Sequence, residues 1–62
     1  MADERKLYEL RNAYRVAYHR LSLIDAESAD CVYQRFGHWD DLDITGLLAA
    51  LDAVDTLTIQ SI

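Results

Sequence analysis

Apolar positions recur at helical spacing in three separate stretches of the chain. Leu7, Leu10, Tyr14, Ala17, Leu21 and Ile24 follow one another at intervals of three and four, so in a helix they share one face. No Gly or Pro falls between Asp3 and Ile24, and Ala, Leu, Glu, Lys and Arg dominate there, all residues of good helix propensity. The pattern predicts one helix over Asp3–Ile24, roughly 30 Å long. Ala29, Val32, Tyr33 and Phe36 then fit i, i+3, i+4, i+7, with Asp25 or Ser28 placed to cap the segment and Gly37 placed to end it. A third segment is expected from Ile44 to about Leu57, capped by Asp43 or Thr45. Ile44, Leu47, Leu48, Leu51 and Val54 form its apolar face. The remaining stretch, Thr56–Ile62, is β-branched and uncapped, and is expected to fray or to pair with something else.

These segments predict an all-α fold: a small three-helix bundle with one long N-terminal helix and two shorter ones, residues 1–62 forming a single domain. The alternative is helix–β-hairpin–helix, because Cys31-Val-Tyr-Gln-Arg-Phe36 is rich in β-formers and Gly37-His38 could begin a turn. Against it, Trp39-Asp-Asp-Leu-Asp43 makes a poor return strand. Trp39, between Phe36 and Leu42, is expected to plug the core. Val16 and Leu23 fall on a third, solvent-facing side of the first helix.

Charge changes this picture more than composition does. The chain of 62 residues is 52% apolar with a net charge of −5, enough for a core yet close to the size at which small domains lean on partners or copies of themselves. Residues 1–24 hold Arg5, Lys6, Arg11, Arg15 and Arg20 against Asp3, Glu4 and Glu9. Residues 25–62 hold Arg35 against Asp25, Glu27, Asp30, Asp40, Asp41, Asp43, Asp52 and Asp55. The two parts therefore differ in sign, +2 against −7, and can attract each other or address a charged partner. The single cysteine, Cys31, allows no internal disulfide. The charged N-terminus differs from a secretion signal, and no apolar run is long enough to span a membrane. These features lead to the expectation of a cytoplasmic protein with no membrane partner.

The first helix also carries a second stripe. Tyr8, Arg11, Arg15 and Tyr18 run at spacings of three, four and three, rotated by about 110° from the apolar face. Tyr and Arg are the residue types enriched where binding energy concentrates. Two readings follow: the arginines meet Asp52 and Asp55 of the third helix internally, or the stripe is an intermolecular surface. In the second reading the acidic edge at Asp40, Asp41 and Asp43 steers the encounter.

Catalytic chemistry finds no support in these residues. Cys31 falls on the solvent side of its predicted helix, with His38 about two turns on and no orienting third group. There is neither a glycine-rich phosphate loop nor a zinc-type His/Cys spacing. No enzyme activity and no cofactor are expected. Asp41, Asp43, Thr45, Gly46, Leu48 and Asp52 occupy positions 1, 3, 5, 6, 8 and 12 of a twelve-residue stretch that resembles an EF-hand calcium loop or its dockerin version. That resemblance implies calcium at Asp41, Asp43, Thr45 and Asp52. Thr45 stands where a carboxylate is usual and Ala49 supplies no side-chain oxygen; Asp41 and Asp43 also suit the positive end of a helix. Separately, Val32-Tyr-Gln-Arg-Phe-Gly-His-Trp39 with Leu42 and Gly46-Leu47 resembles the Phe-Gly-x-Trp core of homing-endonuclease-associated repeats, which implies a small helical DNA-binding module. Its cations here are reduced to Arg35, and a strongly acidic segment repels phosphates.

The expected function is thus macromolecular binding, chiefly protein–protein, by a small acidic helical regulator, inhibitor or assembly subunit. A homo-oligomer is compatible with it. Tyr8, Arg11, Arg15 and Tyr18 are the candidate anchors, with Asp40, Asp41 and Asp43 beside them; calcium binding and DNA binding stand as the two alternatives.

Overall fold

The computed structural model describes residues 2–61. It contains α1 (Ala2–Ile24), α2 (Ala26–Phe36), a single 3-10 turn (Trp39–Asp41) and α3 (Ile44–Ser61), with no strand among the described residues. Each helix packs against the other two, and the 3-10 turn packs on α1. This is a three-helix bundle, and the stretch from Cys31 to Phe36 is helical rather than a strand. The molecule measures 37 × 19 × 15 Å, its long dimension set by α1.

One residue separates α1 from α2. Asp25 takes an extended conformation and its carboxylate accepts from the Ser28 backbone N–H at 3.3 Å and from the Ser28 hydroxyl at 2.8 Å. That cap satisfies a helix donor that would otherwise lack a partner. α2 then runs back along α1. Tyr18 meets Tyr33, Tyr14 reaches Gly37, and Arg11 reaches Asp40, so each step up α1 pairs with a step down the returning chain. Gly37 ends α2 with its N–H bonded to the Tyr33 carbonyl at 2.7 Å and with φ of 95°, a backbone conformation that favours glycine.

The core consists of Tyr14, Ala17 and Leu21 from α1, Ala29 and Val32 from α2, and Leu47, Ala50 and Val54 from α3. Leu7, Leu10, Tyr18, Phe36, Trp39, Leu42, Leu51 and Leu57 pack around it. Three expectations change. Ile24 is 45% exposed, because it is the last residue of α1 and the chain turns away beside it. Leu48 is 50% exposed while Ala50 is fully buried; the inward face of α3 runs Leu47, Ala50, Val54, Thr58, and Leu48 lies to its side. The segment after Leu57 does not fray. α3 continues to Ser61, held by the packing of Leu57 and by buried Thr58, whose hydroxyl donates to the Val54 carbonyl at 2.8 Å. Tertiary packing here outweighs weak intrinsic propensity. Ile62 lies outside the described residues.

Candidate functional site

The second stripe of α1 emerges beside the chain that returns from α2. Since α2 has only 11 residues, it covers α1 as far as the level of Tyr14 and Tyr18, and the turn after it covers the next stage. Tyr14 is fully buried and its hydroxyl donates to the Gly37 carbonyl at 3.2 Å, which ties the end of α2 to α1. Burial, and after it the neighbouring Tyr18 and Tyr33, pushes the Tyr14 hydroxyl above its ordinary pKa, so it stays a neutral donor. Trp39 packs edge-on against Tyr14, with ring centroids 6.1 Å apart. It also meets Tyr18 at 6.0 Å, His19 at 6.1 Å and His38 at 4.2 Å. The 3-10 turn is capped by His38, whose Nδ1 accepts from the Asp40 N–H at 3.1 Å.

This arrangement opens a groove of about 240 Å³ lined by Tyr8, Arg11, Asn12, Arg15, Trp39 and Asp40. Arg11 lies across the 3-10 turn, with Nη2 donating to the Asp40 carbonyl at 3.1 Å. Its Nε is shut off from solvent and has no acceptor. Arg15 is exposed, and its Nη2 donates to Asn12 Oδ1 at 2.7 Å. Tyr8 is 74% exposed. Among the described residues the ion pair between permanently charged side chains is Arg5–Glu9, so neither Arg11 nor Arg15 pairs with a carboxylate.

The expected internal pairing of Arg11 and Arg15 with Asp52 and Asp55 therefore does not form. Both aspartates are exposed on α3, while the arginine edge of α1 is the one the 3-10 turn packs against. Of the candidate anchors, Tyr8, Arg11, Arg15 and Asp40 converge on the groove. Tyr18 does not line it; the ring is half-buried against Tyr33 and Trp39. Asp41 is exposed at the end of the 3-10 turn and Asp43 is exposed at the start of α3, where its Oδ1 accepts from the Gly46 N–H at 2.7 Å. Two lining residues escape a reading of α1 alone. Asn12 gave no signal beyond its position one turn before Arg15, and Trp39 was legible as a core residue but not as one that shows a face outside. Both are explained once the return of the chain is known.

The two alternative stretches take definite forms. Ile44 through Asp52, three-quarters of the calcium-like segment, lie within α3 rather than in a loop. Gly46 is close to the Leu42 and Asp43 side chains, where an added Cβ would stand 3.1 Å and 3.2 Å from their nearest atoms. In the Phe-Gly-x-Trp segment, the Arg35 guanidinium lies 5.4 Å from the centre of the Phe36 ring. No group of three or more His, Cys, Asp or Glu is placed to hold a metal among the described residues. No helix there is long and apolar enough to cross a membrane.

No protein-family model matches the chain, and no curated protein or solved structure is significantly similar to it.

Proposed function

We propose that this protein works by binding a protein partner through the groove between α1 and the 3-10 turn, as a small cytoplasmic regulator, inhibitor or assembly subunit without enzymatic activity. The observation that carries this reading is the state of the Arg11–Arg15 pair. Two guanidiniums flanked by Tyr8 and Trp39 line one concave surface, and neither is neutralised by the seven net negative charges of residues 25–62. Arginine and large aromatics side by side in a groove are what concentrated binding surfaces use. Asp40 lines the groove, and Asp41 and Asp43, exposed and next after it in the acidic stretch, favour approach by a basic surface.

The test is a double variant, Tyr8→Ala with Arg15→Ala, compared with the wild type as bait for proteins of its native host. Both side chains are exposed, so circular dichroism and melting should be unchanged. A partner that the wild type holds should bind the variant at least about tenfold more weakly, the scale of one or two interface anchors. Equal capture of the same partner by both proteins refutes the groove as the binding surface. Sedimentation of the two proteins alone tests self-association through the same face.

A further inference from the structure

The groove's lining has a charge balance that points to the chemistry of its occupant. Arg11 and Arg15 supply two positive charges and Asp40 one negative charge, so the lining is singly positive on a chain whose total is −5. Both guanidiniums are held by neutral oxygens, Arg11 by the Asp40 carbonyl at 3.1 Å and Arg15 by Asn12 Oδ1 at 2.7 Å. One bond apiece orients each fork while leaving other N–H groups without a protein acceptor. Part of the Arg11 charge is also stripped of water at its buried Nε, and a charge with less water around it draws an anion more strongly.

Resting on the reading of this groove as a protein-binding surface, we infer that it receives one carboxylate side chain, Asp or Glu, from the partner, between Arg11 and Arg15. A planar monoanion matches the guanidinium fork and cancels the single positive charge of the lining. A phosphate dianion or a nucleic-acid strand brings excess negative charge against Asp40 and its neighbours Asp41 and Asp43. Tyr8 and Trp39 then pack on the apolar stem of the acidic residue and on the residue beside it. The rest of the partner's contact is neutral or basic, because Asp40 lines the groove and Asp41 and Asp43 follow it in the chain.

The chain's one tryptophan lines the groove, so its emission reports occupancy without a label. Random-sequence peptides displayed on phage are selected on the intact protein, and the selected peptides are titrated by Trp39 fluorescence. The selection should converge on one Asp or Glu set among neutral or basic residues. Changing that residue to Asn or Gln should weaken binding about tenfold or more, as loss of a charge-assisted pair does. Arg15→Gln, with its fold checked by circular dichroism, should weaken the acidic peptide by a similar factor and leave the Asn or Gln peptide almost unaffected. Peptides that lose affinity to Tyr8→Ala yet carry no acidic position overturn the carboxylate inference while the groove reading survives. So does tighter binding of a phosphoserine peptide than of its glutamate counterpart. Peptides indifferent to both Tyr8→Ala and Arg15→Gln, or a selection that yields none, count against the groove reading itself.

Discussion

Two tyrosines six residues apart on α1, Tyr8 and Tyr14, sit at opposite extremes, 74% exposed and fully buried. They are therefore expected to respond differently to the same truncation. Tyr14→Ala should lose about 3–5 kcal/mol, the usual consequence of removing a buried aromatic, together with its bond to Gly37. Tyr8→Ala should stay within about 0.5 kcal/mol of wild type. Tyr18, half-buried among rings, should fall between them at about 2 kcal/mol. Urea unfolding of the three variants checks the order. Gly37 offers a second single-residue test. Its φ of 95° and ψ of −170° lie in a region that is essentially closed to residues with a Cβ. An added Cβ would meet nothing within 4 Å there, so any effect of Gly37→Ala is backbone strain rather than a clash. A loss of about 1–3 kcal/mol is expected, and an unchanged denaturation midpoint would contradict the assigned conformation.

At the scale of the elements, Asp25 decides how α2 begins. Its hydrogen bonds from Ser28, first the hydroxyl and then the backbone N–H, hold the carboxyl below its ordinary pKa. The folded state thus releases this proton more readily than the unfolded chain. Its contribution to stability is complete above the unfolded-state pKa of about 3.9 and disappears as the pH falls from there through the lowered folded value. Melting temperatures of wild type and Asp25→Ala should differ at pH 7 and converge on acidification below pH 3. A constant gap down to that pH would remove the cap from the explanation. Helix existence and order were legible because Leu7–Leu21, Ala29–Phe36 and Leu47–Val54 each keep one period, and because Asp25 and Gly37 punctuate them. The end of α3 was not. Thr58 looks like a poor helix residue until Val54 offers its carbonyl and the core offers a place for Leu57. Leu48 misled for a related reason: two adjacent leucines cannot both lead the inward face, and only the angle at which α3 meets its neighbours selects Leu47.

For the whole molecule, the bipolar charge left open whether its two parts pair with each other, and the Arg11 and Arg15 pairing with Asp52 and Asp55 does not form. Arg11 and Arg15 could have met Asp52 and Asp55 by sign alone. The pairs that form depend instead on where an 11-residue α2 returns the chain, which no charge count contains. The candidate site was half legible for the same reason. Tyr8, Arg11 and Arg15 were visible as a stripe on one helix, whereas the wall opposite them came from a turn 24 or more residues away in sequence. The antiparallel return has a further consequence for the order in which the molecule comes apart. Contacts between α1 and the returning chain are nested around Asp25, with Tyr18–Tyr33 inside Tyr14–Gly37 and Tyr14–Gly37 inside Arg11–Asp40. A hairpin of this kind zips from its bend, closing the shortest loops first. The groove stands at the opposite mouth, so it is the last stage to form and the first to open. Amide hydrogen exchange should therefore be fastest at Asp40–Leu42, slower at Gly37 and slowest in Tyr14–Leu21, and a bound occupant should slow the mouth most. The groove would then be the place where this small protein breathes, and an occupant of it would act as a clasp on the hairpin.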